Sequence, residues 1–167
     1  PGTQIDRTGR PAISTALIEA FNPDDNAAGA AKDADNQAGP AEWSSFAAQL
    51  EGSLAVLDGL DENCGNQLVA DGDPNDRYAF LAGVLADAQL YVLSTTGTCG
   101  TYLGLEGEIT GALQAGEGGC GGRTPADDVI ERSYSVLALG ALTGFDDTIT
   151  ADDGAQTATF PFLGPPQ

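Results

Sequence analysis

Leu90-Tyr91-Val92-Leu93-Ser94 and Thr101-Tyr102-Leu103-Gly104-Leu105 flank the segment Thr95-Thr96-Gly97-Thr98-Cys99-Gly100, and how this stretch reads decides the fold class. Before it, apolar residues recur at three- and four-residue steps. From Gln89 the period changes to short β-prone runs around a Gly-containing turn, the pattern of an antiparallel hairpin. The expected fold is α+β: a mostly helical single domain, residues 1–167, with about four helices, a small antiparallel β-hairpin sheet and an extended Pro-rich C-terminal tail.

Upstream, Ile13, Ala16, Leu17, Ala20 and Phe21 share one helical face, with Pro11 suited to the first turn. The Ser14-Thr15 step leaves a strand as the alternative, and Asn22-Pro23 ends the element. Residues 22–39 read as a polar, flexible loop with room for a short helical turn. The cleanest helix runs from Pro40 to about Leu60, where Trp43, Phe46, Ala47, Leu50, Leu54 and Leu57 form an apolar stripe. After an acidic loop, Asp61–Asn75, a third helix over Asp76–Ala86 is expected to bury Phe80, Leu81, Val84 and Leu85. Downstream, residues 107–122 form a Gly- and Glu-rich loop. Thr124-Pro125-Ala126-Asp127 then opens the last helix in the manner of a capping box, with Val129, Ile130, Ser133, Val136 and Leu137 on its inner face. Phe160, Phe162 and Leu163 are expected to pin the tail against the core.

The chain has 167 residues, 25 acids, 6 bases and no histidine, for a net charge of −19. Without histidine there is no Ser-His-Asp triad, Cys-His dyad or imidazole metal ligand. The cations are Arg7, Arg10, Lys32, Arg77, Arg123 and Arg132, too scattered for a phosphate-binding patch, which argues against nucleic-acid binding. No apolar run reaches the ~20 residues of a membrane span; residues 80–93 are interrupted by Asp87 and Gln89. The chain opens at Pro1 and contains no methionine, as expected of a piece left by removal of a signal peptide or a tag.

Cys64, Cys99 and Cys120 all sit in Gly- or Asn-containing polar segments, which favours a disulfide over buried thiols. The pair expected to bridge is Cys99–Cys120, leaving Cys64 over. The alternative is three reduced thiols in a cytosolic protein.

Both ends carry recognisable motifs. Ile5-Asp6-Arg7-Thr8-Gly9-Arg10-Pro11 through Ile18 resembles the D-R-x-G-R-P-x-x-N-T opening of exported bacterial proteins of domain-of-unknown-function family 4331, with Ser14 where asparagine is expected. Gly121-Gly122-Arg123 followed by Asp127-Asp128-Val129-Ile130 is similar to that family's G-G-R-x-x-x-D-D-V helix start. Ala151-Asp152-Asp153-Gly154 with Phe160-Pro161-Phe162-Leu163-Gly164-Pro165-Pro166 resembles its ending. The matching motifs cover about a third of the chain, which looks like a short member. The resemblance implies export, often as a lipoprotein or surface protein, and no known activity, cofactor or catalytic residue.

Three acidic groups are candidates for cations. Asp71, Asp73, Asn75 and Asp76 offer oxygens at alternate positions, like the start of a Ca²⁺ loop. Position six lacks the EF-hand glycine and position twelve is Ala82 in place of glutamate, so this is no EF-hand; an acidic turn capping the next helix is the plainer reading. Asp33, Asp35 and Asn36 form a second group, beside Lys32. Asp146-Asp147 and Asp152-Asp153 form a third, near the C-terminal end of the last helix, where the dipole disfavours carboxylates. Arg7, Arg10 and Arg123 suit fixed carboxylate pairing, for example Arg10 or Arg123 with Asp127 or Asp128, the sharper alternative being an anion site.

Together these features point to a non-enzymatic, exported cell-envelope or extracellular module, stabilised by Ca²⁺ and able to self-associate or to bind another envelope protein. The alternative is a carboxylate-based, glycosidase-like extracellular hydrolase. Adaptation to high salt would also account for abundant acids with a single lysine.

Overall fold

The computed structural model describes residues 7, 9–60, 62–95, 99, 101–149, 156, 157, 159 and 164. It is helical: α1 (Ala12–Leu17), α2 (Asp25–Gln37), a 3-10 turn (Trp43–Phe46) running into α3 (Ala47–Asp58), α4 (Ala79–Leu85), α5 (Gly104–Thr110) and α6 (Val129–Leu139). Among the described residues there is no strand beyond a single antiparallel bridge, Val92 to Gly121. The α+β expectation is therefore corrected to an α fold.

The correction lies in the opening stretch. Tyr102 and Leu103 are neighbours yet both are buried, which a hairpin with one buried face does not give. They join Val136 of α6 in a small apolar cluster, and the Tyr102 hydroxyl lies 3.2 Å from Ser133 Oγ. Leu103 takes a left-handed conformation, φ 59°, that turns the chain into α5. A side chain at Gly104 would overlap the backbone of Gly118, so the close approach of α5 to the Gly-rich loop requires glycine there. The first run pairs instead with that loop: Leu93 N–H donates to Cys120 O at 2.8 Å and Gly122 N–H to Tyr91 O at 3.0 Å. The Cys99–Cys120 disulfide fastens this pairing, Cα to Cα 4.7 Å, and Cys64 is free and exposed. Closing a loop of this length is worth about 3 kcal/mol. Cys120→Ser, or reduction by dithiothreitol, is expected to lower the urea midpoint accordingly; an unchanged midpoint would show that the bridge is idle.

The main core forms around α3, which packs on α1, α4 and α6. Leu50, Leu54 and Leu57 meet Ile13, Leu17, Leu81, Leu85 and Leu137, as the apolar stripe of α3 requires. Three residues assigned to buried faces are exposed, Phe80, Ile130 and Phe21, the last of which follows the early end of α1; Trp43 is half-buried. The segment read as a loop, 22–39, holds α2. Its start is fixed by Asp24, whose carboxylate accepts the Asn26 and Ala27 N–H groups, and its inner face is only Ala28, Ala31 and Asp35. The last helix begins later than expected. Thr124-Pro125-Ala126-Asp127 is a turn in which Asp127 accepts from the Thr124 N–H and hydroxyl. Asp128 is the N-cap, taking the Glu131 N–H at 2.9 Å. The Phe160–Leu163 anchor and Asp152-Asp153 lie outside the described residues. No helix among the described residues is long and apolar enough to cross a membrane.

Candidate metal centre

At the start of α6, Asp128 and Glu131 stand one turn apart, a spacing that puts both carboxylates on one face. The chain leaving α6 reverses at Gly140, φ 62°. It is then tied back along the helix: Phe145 N–H donates to Ser135 Oγ at 3.0 Å and the Phe145 ring stacks on Tyr134, centroids 5.2 Å apart. Two successive Asx turns follow, with Asp146 accepting the Thr148 N–H at 2.7 Å and Asp147 the Ile149 N–H at 2.9 Å. This return brings Asp147 beside Glu131, whose carboxylate takes the Asp147 N–H at 3.4 Å. Carboxylate oxygens of Asp128, Glu131 and Asp147 consequently lie within 4.8 Å of one another. Glu131 and Asp147 are half-buried and Asp128 is exposed. A cavity of about 120 Å³ adjoins Asp128 and Glu131, lined also by Tyr102, Arg132 and Phe145.

This arrangement disfavours three ionised carboxylates. Partial burial pushes the Glu131 carboxyl above its ordinary range, and the charges of Asp128, Asp146 and Asp147 push the same way, against the Asp147 N–H. Three converging carboxylates without nitrogen or sulfur suit a hard cation, the remainder of a 6–8 oxygen shell being left to water. The cluster could hold a metal ion.

The other sequence candidates fare differently. Asp71, Asp73, Asn75 and Asp76 are all exposed, and their carboxylates serve the turn: Asp71 accepts the Asp73 N–H and Asp73 the Asn75 N–H, each at 2.9 Å. Asp35 is buried against Arg7 and serves packing. Asp146-Asp147 was expected to face the unfavourable C-terminal end of the last helix; the return loop places Asp147 beside its first turn instead, where the dipole favours carboxylates. What the sequence reading missed was the partnership with Asp128 and Glu131. Arg10 does pair with carboxylates, but with Asp87 at 3.2 Å and Glu106 at 3.7 Å, not with Asp127 or Asp128.

Comparison of the chain with known protein families, curated proteins and solved structures returns no match.

Proposed function

We propose that the chain is a non-enzymatic, exported surface or envelope module whose α6 region is held by Ca²⁺ at Asp128, Glu131 and Asp147. The convergence of these three carboxylates carries the reading. The disulfide and the absence of a membrane-spanning helix among the described residues are compatible with an extracellular setting, and the end motifs that resemble family 4331 support export. Hydrolysis is the weaker reading. The cavity beside the carboxylates is well below the ~300–1,000 Å³ of a ligand pocket. The −19 charge opposes self-association at low ionic strength, so assembly of copies depends on salt or divalent ions.

The test is a melting curve in Ca²⁺ against EDTA with ionic strength matched by NaCl. Ca²⁺ at 100 times its dissociation constant stabilises by ~2.7 kcal/mol, a rise of roughly 5–10 °C for a chain of this size. Glu131→Gln and Asp147→Asn are expected to abolish the rise. The pH dependence has a definite sign. Glu131 holds its proton more tightly folded than unfolded, so its contribution to stability is present at acid pH and lost as pH rises through its raised value. Ca²⁺ replaces that proton, so its increment is largest at neutral pH and shrinks as pH falls into the carboxyl range. Identical curves in EDTA and Ca²⁺ would remove the metal. A rise reproduced by NaCl alone would replace it with adaptation to high salt.

A further inference from the structure

On the outer side of α3, Ala48, Gly52 and Val56 follow one another at single-turn intervals, and the turn after α1 places Phe21 and Pro23 alongside them. The groove between has a volume of about 460 Å³. Its apolar walls are open to solvent, with Phe21 52% and Val56 45% exposed. Gly52 lies in mid-helix, where glycine costs ~0.5–1 kcal/mol relative to alanine. A Cβ at Gly52 would meet nothing within 4 Å, so no internal neighbour requires the glycine. Its absent side chain keeps the groove floor low enough for another backbone to approach.

The charges around the groove have one sign. The segments that form it, 18–25 and 47–57, carry Glu19, Asp24, Asp25 and Glu51 and no lysine or arginine. We propose that the groove docks a cationic amphipathic helix of a partner protein, its apolar stripe against Phe21, Gly52 and Val56 and its basic flanks over the surrounding acids. A second copy of this chain would set acid against acid, and an anionic lipid surface would be repelled likewise.

The test uses the full chain and a fluorescent peptide of about 18 residues, a ~27 Å helix, built from leucine and lysine in amphipathic order, with a scrambled peptide of identical composition as control. Fluorescence anisotropy is expected to show the amphipathic peptide binding at least about tenfold more tightly than the scrambled one. Gly52→Trp fills the groove from an open position and is expected to weaken binding by about tenfold or more, equivalent to ~1.4 kcal/mol. Gly29→Trp, at an equally open helical glycine on α2, leaves binding unchanged. Val56→Lys, which puts a like charge in the groove, repeats the loss should Gly52→Trp perturb the helix by circular dichroism. Equal binding of the two peptides, or full binding by a folded Gly52→Trp or Val56→Lys chain, overturns the proposal.

Discussion

Replacing Arg10 with methionine is expected to cost about 3–5 kcal/mol, the range for removing one partner of a buried ion pair, out of a total stability of roughly 5–15 kcal/mol. Arg10 is 2% exposed. Its Nη1 donates to Val84 O at 2.7 Å and to Asp87 Oδ1 at 3.2 Å, and Nη2 stands 3.7 Å from Glu106 Oε1. Methionine fills much of the volume but leaves the buried Glu106 carboxylate without its cation. Adding Glu106→Gln removes that charge, so the double variant is expected to recover roughly 0.5–3 kcal/mol of the loss, the coupling typical of contacting groups. Urea unfolding of the two single variants and the double variant measures both quantities. Additive losses would mean that Arg10 and Glu106 do not sense each other and that Val84 O and Asp87 are the partners that hold Arg10.

The same site explains what the arginine-rich opening does. Arg7 donates to Asp35 O and Ala86 O, both at 2.9 Å, and pairs with the Asp35 carboxylate. Its guanidinium also lies 5.4 Å from the centre of the Trp43 ring. Arg7 and Arg10 thus bring positive charge to the last turn of α2 and the end of α4, where the helix dipole favours a cation. Burial pushes the Asp35 carboxyl up and Arg7 pulls it back. Local sequence marked these arginines as fixed by carboxylates but pointed Arg10 to Asp127 or Asp128, because Asp87 and Glu106 reach it only through tertiary packing.

Legibility followed the range of the interaction. The stripe Leu50-Leu54-Leu57 was readable because it repeats within one helix, and a disulfide because the cysteines sit in polar segments, a signal that Cys64 shares and that does not itself select the pair Cys99–Cys120. α2 was obscured because a nearly all-alanine inner face gives little amphipathic signal; Asp24 as N-cap was the available cue. The hairpin reading failed on a long-range term. Tyr102 and Leu103 follow the burial offered by Val136, and Gly104 and Gly118 allow an approach that no local periodicity reports. The metal centre failed in the same way. Asp128-x-x-Glu131 is visible as a helix start, whereas Asp147 joins it only after the chain reverses.

That reversal is the most sensitive point of the candidate site. Gly140→Ala is expected to destabilise by about 2–5 kcal/mol and to abolish the Ca²⁺-dependent rise in melting temperature. Two costs combine there. The left-handed conformation at φ 62° costs a residue with a Cβ roughly 1–2 kcal/mol, and that Cβ would overlap the Asn66 carbonyl oxygen, forcing a backbone shift worth about 1–3 kcal/mol. The shift acts on both sides of the turn. Next to Asn66, the buried Gln67 amide donates to the carbonyls of Leu54 and Leu137 and joins this loop to α3 and α6. Beyond Gly140, the chain carries Phe145 to Ser135 and Asp147 to Glu131. Asparagine separates the two costs, since it tolerates left-handed backbone but still presents a Cβ. Gly140→Asn is therefore expected to keep the contact cost alone, a loss of about 1–3 kcal/mol. Recovery of wild-type stability and Ca²⁺ response by asparagine would show that the dihedral alone matters and that contact with Asn66 does not hold the return loop in place.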